Sequence, residues 1–316
     1  MQYLLIILFV ITLNFFLPRL IPGDPLKFIA GQDIVRLSEE QKEAIRIEYG
    51  LDRPVAVQFA KYASNTLKGD FGYSYRNKRP VLDIIGERMP WTLLLSAVDL
   101  ILTTIIGVIV GTIAAWQRGT AKDIAYNNLF IFLQSVPSFW IGMILLTIFG
   151  ARLGWFPLFG AKTIGQNYTG LAYITDIVKH LVLPAATLTI VSVSSVYFTM
   201  RYAMIDTLKE DYIVMAKMKG LDDNKVKYRH AMRNALIPVV TVIMLNLGFM
   251  VGGAIITETV FTYPGMGRLL FESVTNRDYS VMQTCFMIIT LCVIAANIIS
   301  DILYPFLDPR ITKRTF

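Results

Sequence analysis

The stretch AKMKGLDDNKVKYRHAMRNALIPV, residues 216–239, interrupts an apolar chain with a helix end, a glycine and a strongly basic second helix. Met204 to Lys219 has helix-forming composition, and Gly220 suits the left-handed position after a last turn. Asp222 is placed to cap the next helix, with Asp223 favourable in its first turn. That helix runs through NKVKYRHAMRNAL, and Pro238 opens a new apolar run. The flanking stretches carry almost no charge, so what they are decides what the two helices do.

They are membrane spans. Only 17% of the 316 residues are charged and 54% are hydrophobic, where soluble domains carry about a quarter charged residues. A mean hydropathy of +0.53 fits one membrane-embedded bundle better than two soluble domains. About 20 apolar residues cross a bilayer core, and six stretches meet or approach that length: 1–18, 91–115, 124–151, 181–200, 235–257 and 279–300. The first lacks the basic start and small-residue cleavage site of a signal peptide, and reads as a span. Cys285 and Cys292 lie seven apart on one helix face, too distant for a mutual disulfide, and read as packing thiols.

Positive charge orients the spans. The loop WQRGTAKD carries Arg118 and Lys122, and the tail adds Arg310, Lys313 and Arg314. The 201–234 loop carries eight basic residues: Arg201, Lys209, Lys217, Lys219, Lys225, Lys227, Arg229 and Arg233. The opposite connections hold fewer, so both termini and the opening loop belong in the cytoplasm. The net charge of +7 follows from those loops and needs no nucleic acid. The long, near-neutral segment 21–90 lies outside. Within it, SEEQ at Ser38–Gln41 is a capping box whose helix can end at Gly50. A second helix follows DRP around Val55 to Leu67. KGDFGYSY reads as a turn, and RPVLDIIGERMP as a further short helix.

Three readings compete for the opening loop. A DNA-binding helix-turn-helix has the right outline, but both helices are tethered to the bilayer within a few residues. A basic patch on anionic lipid is favourable by about 1 kcal/mol per Lys or Arg, yet requires neither the glycine hinge nor the acidic Asp222–Asp223 pair. A docking element that passes motion from a soluble partner to the spans uses every feature. Physical chemistry alone leaves the last two open.

The residues then carry a resemblance. AKMKGLDDNKVKYRHAMRNALIPV resembles the cytoplasmic EAA loop in permeases of ATP-binding-cassette importers, particularly the peptide/nickel branch. LIPGDP, GYSY…RPVLDIIGERMPWTL, GTIAAWQRGTAKD, VPSFWIGMIL, HLVLPAATL and ETVFTYPGMGRLL are similar to that branch in the same order. The chain looks most like the first of two peptide permeases. The resemblance implies an all-α membrane protein, a single permease domain over 1–316 with six transmembrane helices of the type I importer fold. Residues 21–90 would be its extracytoplasmic insertion and 201–236 its coupling loop. It also implies a second homologous permease, two ATPase subunits holding ATP and Mg, an extracytoplasmic substrate-binding protein, and a bacterial or archaeal plasma membrane. The peptide/nickel branch also imports nickel and nickel chelates, which keeps that alternative beside di- and oligopeptides.

Within the motif, Val214 and Met215 stand where the wider family has Glu and Ala; Ala216 and Gly220 match it. His230 and Arg233 depart from the wider family as the branch does. The resemblance therefore assigns ATPase coupling to Ala216, Gly220, His230, Arg233 and Asn234 rather than to an acidic contact. It places the loop TETVFTYPGMGRL near the outer mouth, with Tyr263, Pro264 and Gly265 toward a docking binding protein.

Other chemistry is sparse. No G-x-x-x-x-G-K-[ST] loop occurs, so energy has to come from a partner, and this chain is not expected to be an enzyme or to hold a cofactor. The two histidines form no metal-ligand pattern, and His180 reads as an interfacial helix start. Polar groups at membrane depth face protein or water: Asp99 and Asn246 first, then Gln134 and Asn297. Each suits a translocation path or an interhelical hydrogen bond, and Glu258 suits a gate or a helix end. Gly107 and Gly111 predict close helix packing, as does GGA at 252–254; Pro137 predicts a bend in the third span. A secondary transporter or channel would do without an ATPase, but would show inverted repeats or broken helices, and no clear internal repeat is present.

Overall fold

The computed structural model describes residues 2–20, 26, 36–49, 53–74, 76–250 and 254–307. Helices dominate: α1 (Gln2–Leu20), α2 (Glu39–Tyr49), α3 (Val55–Leu67), α4 (Val81–Trp116), α5 (Ala121–Ser135), α6 (Ser138–Leu145), α7 (Leu171–Thr207), α8 (Asp211–Met218), α9 (Met232–Phe249), α10 (Ile255–Val260), α11 (Met266–Thr275) and α12 (Tyr279–Leu307). A two-residue hairpin, β1 (Tyr73–Ser74) and β2 (Arg79–Pro80), precedes α4 with Tyr73 opposite Pro80. Composition suggests only a turn there.

Among the described residues four helices are long and apolar enough to cross a membrane: Val81–Trp116, Leu171–Thr207, Lys225–Leu247 and Tyr279–Ile299. The pair Ala121–Ser135 and Ser138–Arg152 makes a fifth if it is one span, and α1 holds a shorter apolar stretch, Leu5–Phe16. Packing divides the chain into two units, one drawn from Met1–Thr92, Val251–Ile255 and Pro264–Ile294, the other from Leu93–Met250, Ile256–Tyr263 and Ala295–Phe316.

In the first unit, Phe15 of α1 packs on Phe59 and Tyr62 of α3, with ring centroids 5.2 and 5.6 Å apart. The capping box forms as expected: the Ser38 amide donates to Gln41 Oε1 at 2.9 Å, and the Gln41 amide to Ser38 Oγ at 3.2 Å. α2 ends at Tyr49, and Gly50 lies outside the described residues. Val81, Ile84 and Ile85 form a core with Met266, Leu269, Leu270, Tyr279, Met282 and Cys285. Buried Asp278 caps α12 through the Val281 amide and accepts from Ser74 Oγ at 2.5 Å and Asn77 Nδ2 at 3.4 Å, fastening the hairpin turn. Burial pushes its carboxyl above the usual range, against the hydroxyl and amide bonds that favour its charge.

RPVLDIIGERMP is not a separate short helix. Val81 begins α4, which continues unbroken through Pro90 to Trp116. An interior proline costs about 3 kcal/mol, and here the packed Val81, Ile84 and Ile85 before it and the apolar run from Trp91 after it keep the helix going.

In the second unit, the expected bend at Pro137 is a break: the axes of α5 and α6 meet at 96°. The residue before a proline is driven out of the helical region, and Val136 is extended at φ −86°, ψ 129°. α7 begins ten residues before the predicted span. His180 therefore lies buried inside it rather than at a helix start, its Nδ1 2.8 Å from the Asp176 carbonyl.

α4 meets α7 at its glycines. A Cβ on Gly107 would lie 2.7 Å from Val196 Cβ, and one on Gly111 would lie 2.8 Å from the Tyr197 carbonyl oxygen. The Gly111 neighbour is backbone and cannot swing away, so Gly111→Ala is expected to destabilise by about 2 kcal/mol, as overpacking does. A lowered thermal midpoint in detergent checks this; an unchanged midpoint contradicts the close approach. Gly252 and Gly253 lie outside the described residues.

Candidate functional site

The opening stretch folds into a closed helical hairpin. After α7, Leu208–Glu210 turn the chain into α8, so Met204–Lys219 is two helices rather than one. Gly220 adopts φ +73°, as expected of a left-handed terminator. Its amide donates to the Lys217 carbonyl at 2.9 Å and the Leu221 amide to the Ala216 carbonyl at 3.4 Å. That pair of bonds is the Schellman closure, which satisfies carbonyls a helix end otherwise leaves open. Asp222 then starts the next helix, its Oδ2 accepting from the Asn224 amide at 3.0 Å and its carbonyl from Val226.

The second helix is not short. A π-helical segment, Lys225–Ala231, runs directly into α9, and Pro238 sits inside α9 rather than opening a span. The registers place Ile213 and Ala216 of α8 against Val226, Ala231, Ala235 and Val239, in one core with Met200, Met204 and Ile205 of α7 and Ala115 of α4. Across the hairpin, Asn234 Nδ2 donates to Tyr212 Oη at 2.6 Å.

The opposite side of α8 is apolar and uncovered. Val214, Met215 and Leu221 are exposed, and Met218 is 79% exposed. His230 is half-buried and Arg233 exposed. Of the residues singled out for coupling, Ala216, Gly220 and Asn234 hold the hairpin together, while Arg233 presents itself outward.

A second cluster fixes the base, and sequence reasoning misses it. Arg201 at the end region of α7 grips Asp123 of α5 with two parallel bonds, Nε to Oδ1 and Nη2 to Oδ2, both 2.8 Å. The side chains are only 11% and 5% exposed. Asp123 also accepts from the Gly119 amide and Asn127 Nδ2, and Asn127 Oδ1 accepts from Tyr197 Oη at 3.2 Å. The guanidinium beside it holds the Asp123 carboxyl below the usual range. A signal is present: Gly-Thr-x-x-Asp at 119–123 is a helix-start pattern, and Thr120 Oγ1 does accept from the Asp123 amide. Its partner, 78 residues on, has no local signature.

At membrane depth Asp99 turns toward α7, accepting from Thr103 Oγ1 at 3.0 Å, Thr189 Oγ1 at 3.2 Å and Ser192 Oγ at 3.5 Å. It stands on the same helical row as Gly107 and Gly111. Asn246 and Gln134 are exposed on the isolated chain, and Asn297 is half-exposed. Glu258 is fully buried, its carbonyl accepting from the Tyr263 amide at 2.7 Å. Phe261 and Tyr263 are buried as well, not at an interface as their aromatic character suggests; Gly265 is buried and Pro264 half-buried. Among the described residues no group of three His, Cys, Asp or Glu is arranged to hold a metal.

The chain is an all-helical polytopic membrane protein that carries a polar-capped helical hairpin between two of its long apolar helices, an arrangement that suits a transport permease. The family model described as binding-protein-dependent transport system inner membrane component matches residues 107–313, and its N-terminal companion matches 1–96. The chain is 35% identical to the oligopeptide transport system permease protein AppB of Bacillus subtilis, covering 97% of this chain and 95% of that one. It is 38% identical to the glutathione transport system permease protein GsiC of Escherichia coli, covering 96% and 94%. The inward-facing MetNI methionine ABC transporter shares the fold, with a TM-score of 0.56 at 15% identity, over 72% of this chain and 98% of the matched chain. The protein belongs to the family of binding-protein-dependent transport system inner membrane components: it is the permease subunit of a prokaryotic ABC importer, of the first-permease type. Such a permease works with ATPase, binding-protein and partner-permease components, and ATP is hydrolysed in the separate ATPase subunit.

Proposed function

We propose that this permease forms half of a pore for di- and oligopeptides. Six spans place both termini in the cytoplasm, with 21–90 outside as an insertion and 201–236 inside as the coupling loop of a single permease domain over 1–316. The observation that carries the reading is the exposed apolar side of α8, at Val214, Met215 and Met218, continued past the turn by Leu221 and mounted on a buried base. A patch of that kind, at the tip of a hairpin tethered to spans at both ends, suits docking into a partner's groove. The partners are a second homologous permease, two ATPase subunits and an external binding protein.

Ala216 and Gly220 set the shape of the coupling hairpin; His230, Arg233 and Asn234 supply polar contacts along its flank. Asp99, Asn246 and Glu258 belong to the translocation path or its gating, with Asp99 acting through the α4–α7 contact. Tyr263, Pro264 and Gly265 shape the outer loop toward the binding protein; the buried Tyr263 ring acts by packing, not by direct touch. A peptide substrate accords with the names of the oligopeptide and glutathione relatives.

Affinity purification of the tagged chain from its native membrane is expected to bring a second permease and ATPase subunits. ATP hydrolysis in that preparation should rise when peptide-loaded binding protein is added. A transport-competent preparation without any ATPase overturns the reading, as does transport indifferent to peptides.

A further inference from the structure

Trp116 closes α4, and two lysines from two other elements converge on its indole. Lys217 Nζ, from α8, stands 5.2 Å from the ring centroid, and Lys227 Nζ, from the π-helical segment, stands 5.7 Å from it. Lys227 also lies 4.4 Å from the Tyr228 ring. A cation over an indole face is attracted by the ring quadrupole, but two ammonium groups at one ring repel each other. Among the described residues neither lysine has a carboxylate within ion-pair distance. Of the acidic side chains in the same region, Asp123 pairs with Arg201, Asp206 with Lys209, and Asp222 accepts from the Asn224 amide, while the exposed Glu210, Asp211 and Asp223 form no ion pair with either lysine among the described residues. The arrangement is therefore a preformed, uncompensated pair of positive charges beside a half-exposed aromatic ring.

What compensates them follows from where the ring sits. Trp116 is the last residue of a 36-residue helix that is apolar enough to span a membrane. Tryptophan at such an end lies at headgroup level, and Arg118 and Lys122 follow it directly. The anion found at that depth is the phosphate of a phospholipid, for which a lysine ammonium is a natural point-charge partner. We infer that Trp116, Lys217 and Lys227 form a binding site for the headgroup phosphate of an anionic phospholipid. The occupant joins the end of α4, α8 and the π-helical segment, and so ties the coupling hairpin to the bilayer surface. This rests on the reading that the Trp116 end of α4 lies at a membrane surface.

The test uses the purified transporter complex in nanodiscs, with lipids brominated near the headgroup as fluorescence quenchers. Trp116's own signal is the difference between wild type and Trp116→Phe. At equal mole fraction, brominated phosphatidylglycerol is expected to quench that signal with an apparent affinity on the order of tenfold above brominated phosphatidylcholine, the scale two lysines near an anionic surface provide. The preference should vanish in Lys217→Gln/Lys227→Gln and persist in Lys217→Arg/Lys227→Arg. If the double glutamine variant fails to assemble, each single one is expected to lose part of the preference. Equal quenching by the two lipids overturns the site, and so does a preference that survives both glutamines. Loss of the preference when inorganic phosphate replaces chloride at matched ionic strength assigns the site to free phosphate and overturns the lipid. Quenching by neither lipid overturns the placement of Trp116 at the membrane surface, while the pull-down of ATPase and second permease tests the importer reading separately.

Discussion

Gly220→Pro is expected to abolish the stimulation of ATP hydrolysis by substrate-loaded binding protein while leaving the chain inserted in the membrane. The native φ at this position is +73°; proline is locked near −65° and has no amide hydrogen. The substitution thus removes the bond to the Lys217 carbonyl and forbids the turn that brings α8 back on Val226 and Ala231. The apolar spans that drive insertion are untouched, so membrane abundance should stay close to wild type. Gly220→Asn is the control, because asparagine tolerates the left-handed region at modest cost. Stimulation should fall to the basal rate in the proline variant and be largely retained with asparagine. Normal stimulation in Gly220→Pro would remove the hairpin from the coupling path.

Arg201→Ala should cost about 3 kcal/mol, the lower end of what removing one partner of a buried pair costs. The loss is mostly the penalty of leaving Asp123 nearly buried without its guanidinium. Asp123→Asn with Arg201 intact keeps the shape and is expected to cost less, and thermal unfolding in detergent distinguishes the two. The pH dependence has a definite sign. Because the folded carboxyl titrates below its ordinary 3.8, the stabilisation is fully present above that value and is lost as pH falls through the depressed folded one. The wild-type midpoint should therefore be insensitive to Asp123 near neutrality and decline only in strong acid. An Arg201→Ala midpoint equal to wild type would show the pair to be energetically idle.

Features governed by nearest neighbours along the chain are legible in the amino-acid sequence alone. The Ser38–Gln41 box, the helix at Val55–Leu67, the left-handed Gly220, the Asp222 cap and a bend at Pro137, though not its 96° sharpness, each follow from a few adjacent residues. What local rules misjudge depends on distant packing. Pro90 and Pro238 look like helix boundaries by local rule, yet α4 and α9 run through them, held by cores that include Ile84 and Ile85 before Pro90, and Ala235 and Val239 around Pro238. Phe261 and Tyr263 look interfacial by composition, but their burial is decided by partners far off in sequence, such as the Gly160 amide that donates to the Phe261 carbonyl. Arg201 looks like one more cytoplasmic positive charge; only the fold shows that it is held by Asp123. The hairpin's composition is legible, its mounting is not.

The glycine contact of α4 has a mechanical consequence for α7. Seated on Gly107 and Gly111 at Val196, Tyr197 and Met200, the long helix has unequal arms. At a rise of about 1.5 Å per residue, roughly 15 Å separate Tyr197 from the end beside α8, and roughly 39 Å from the far end at Leu171. Were α7 to rock on that seat as a rod, despite Pro184 in its long arm, a displacement at the short end would be multiplied more than twofold at the long one. Two missing side chains would then be its fulcrum.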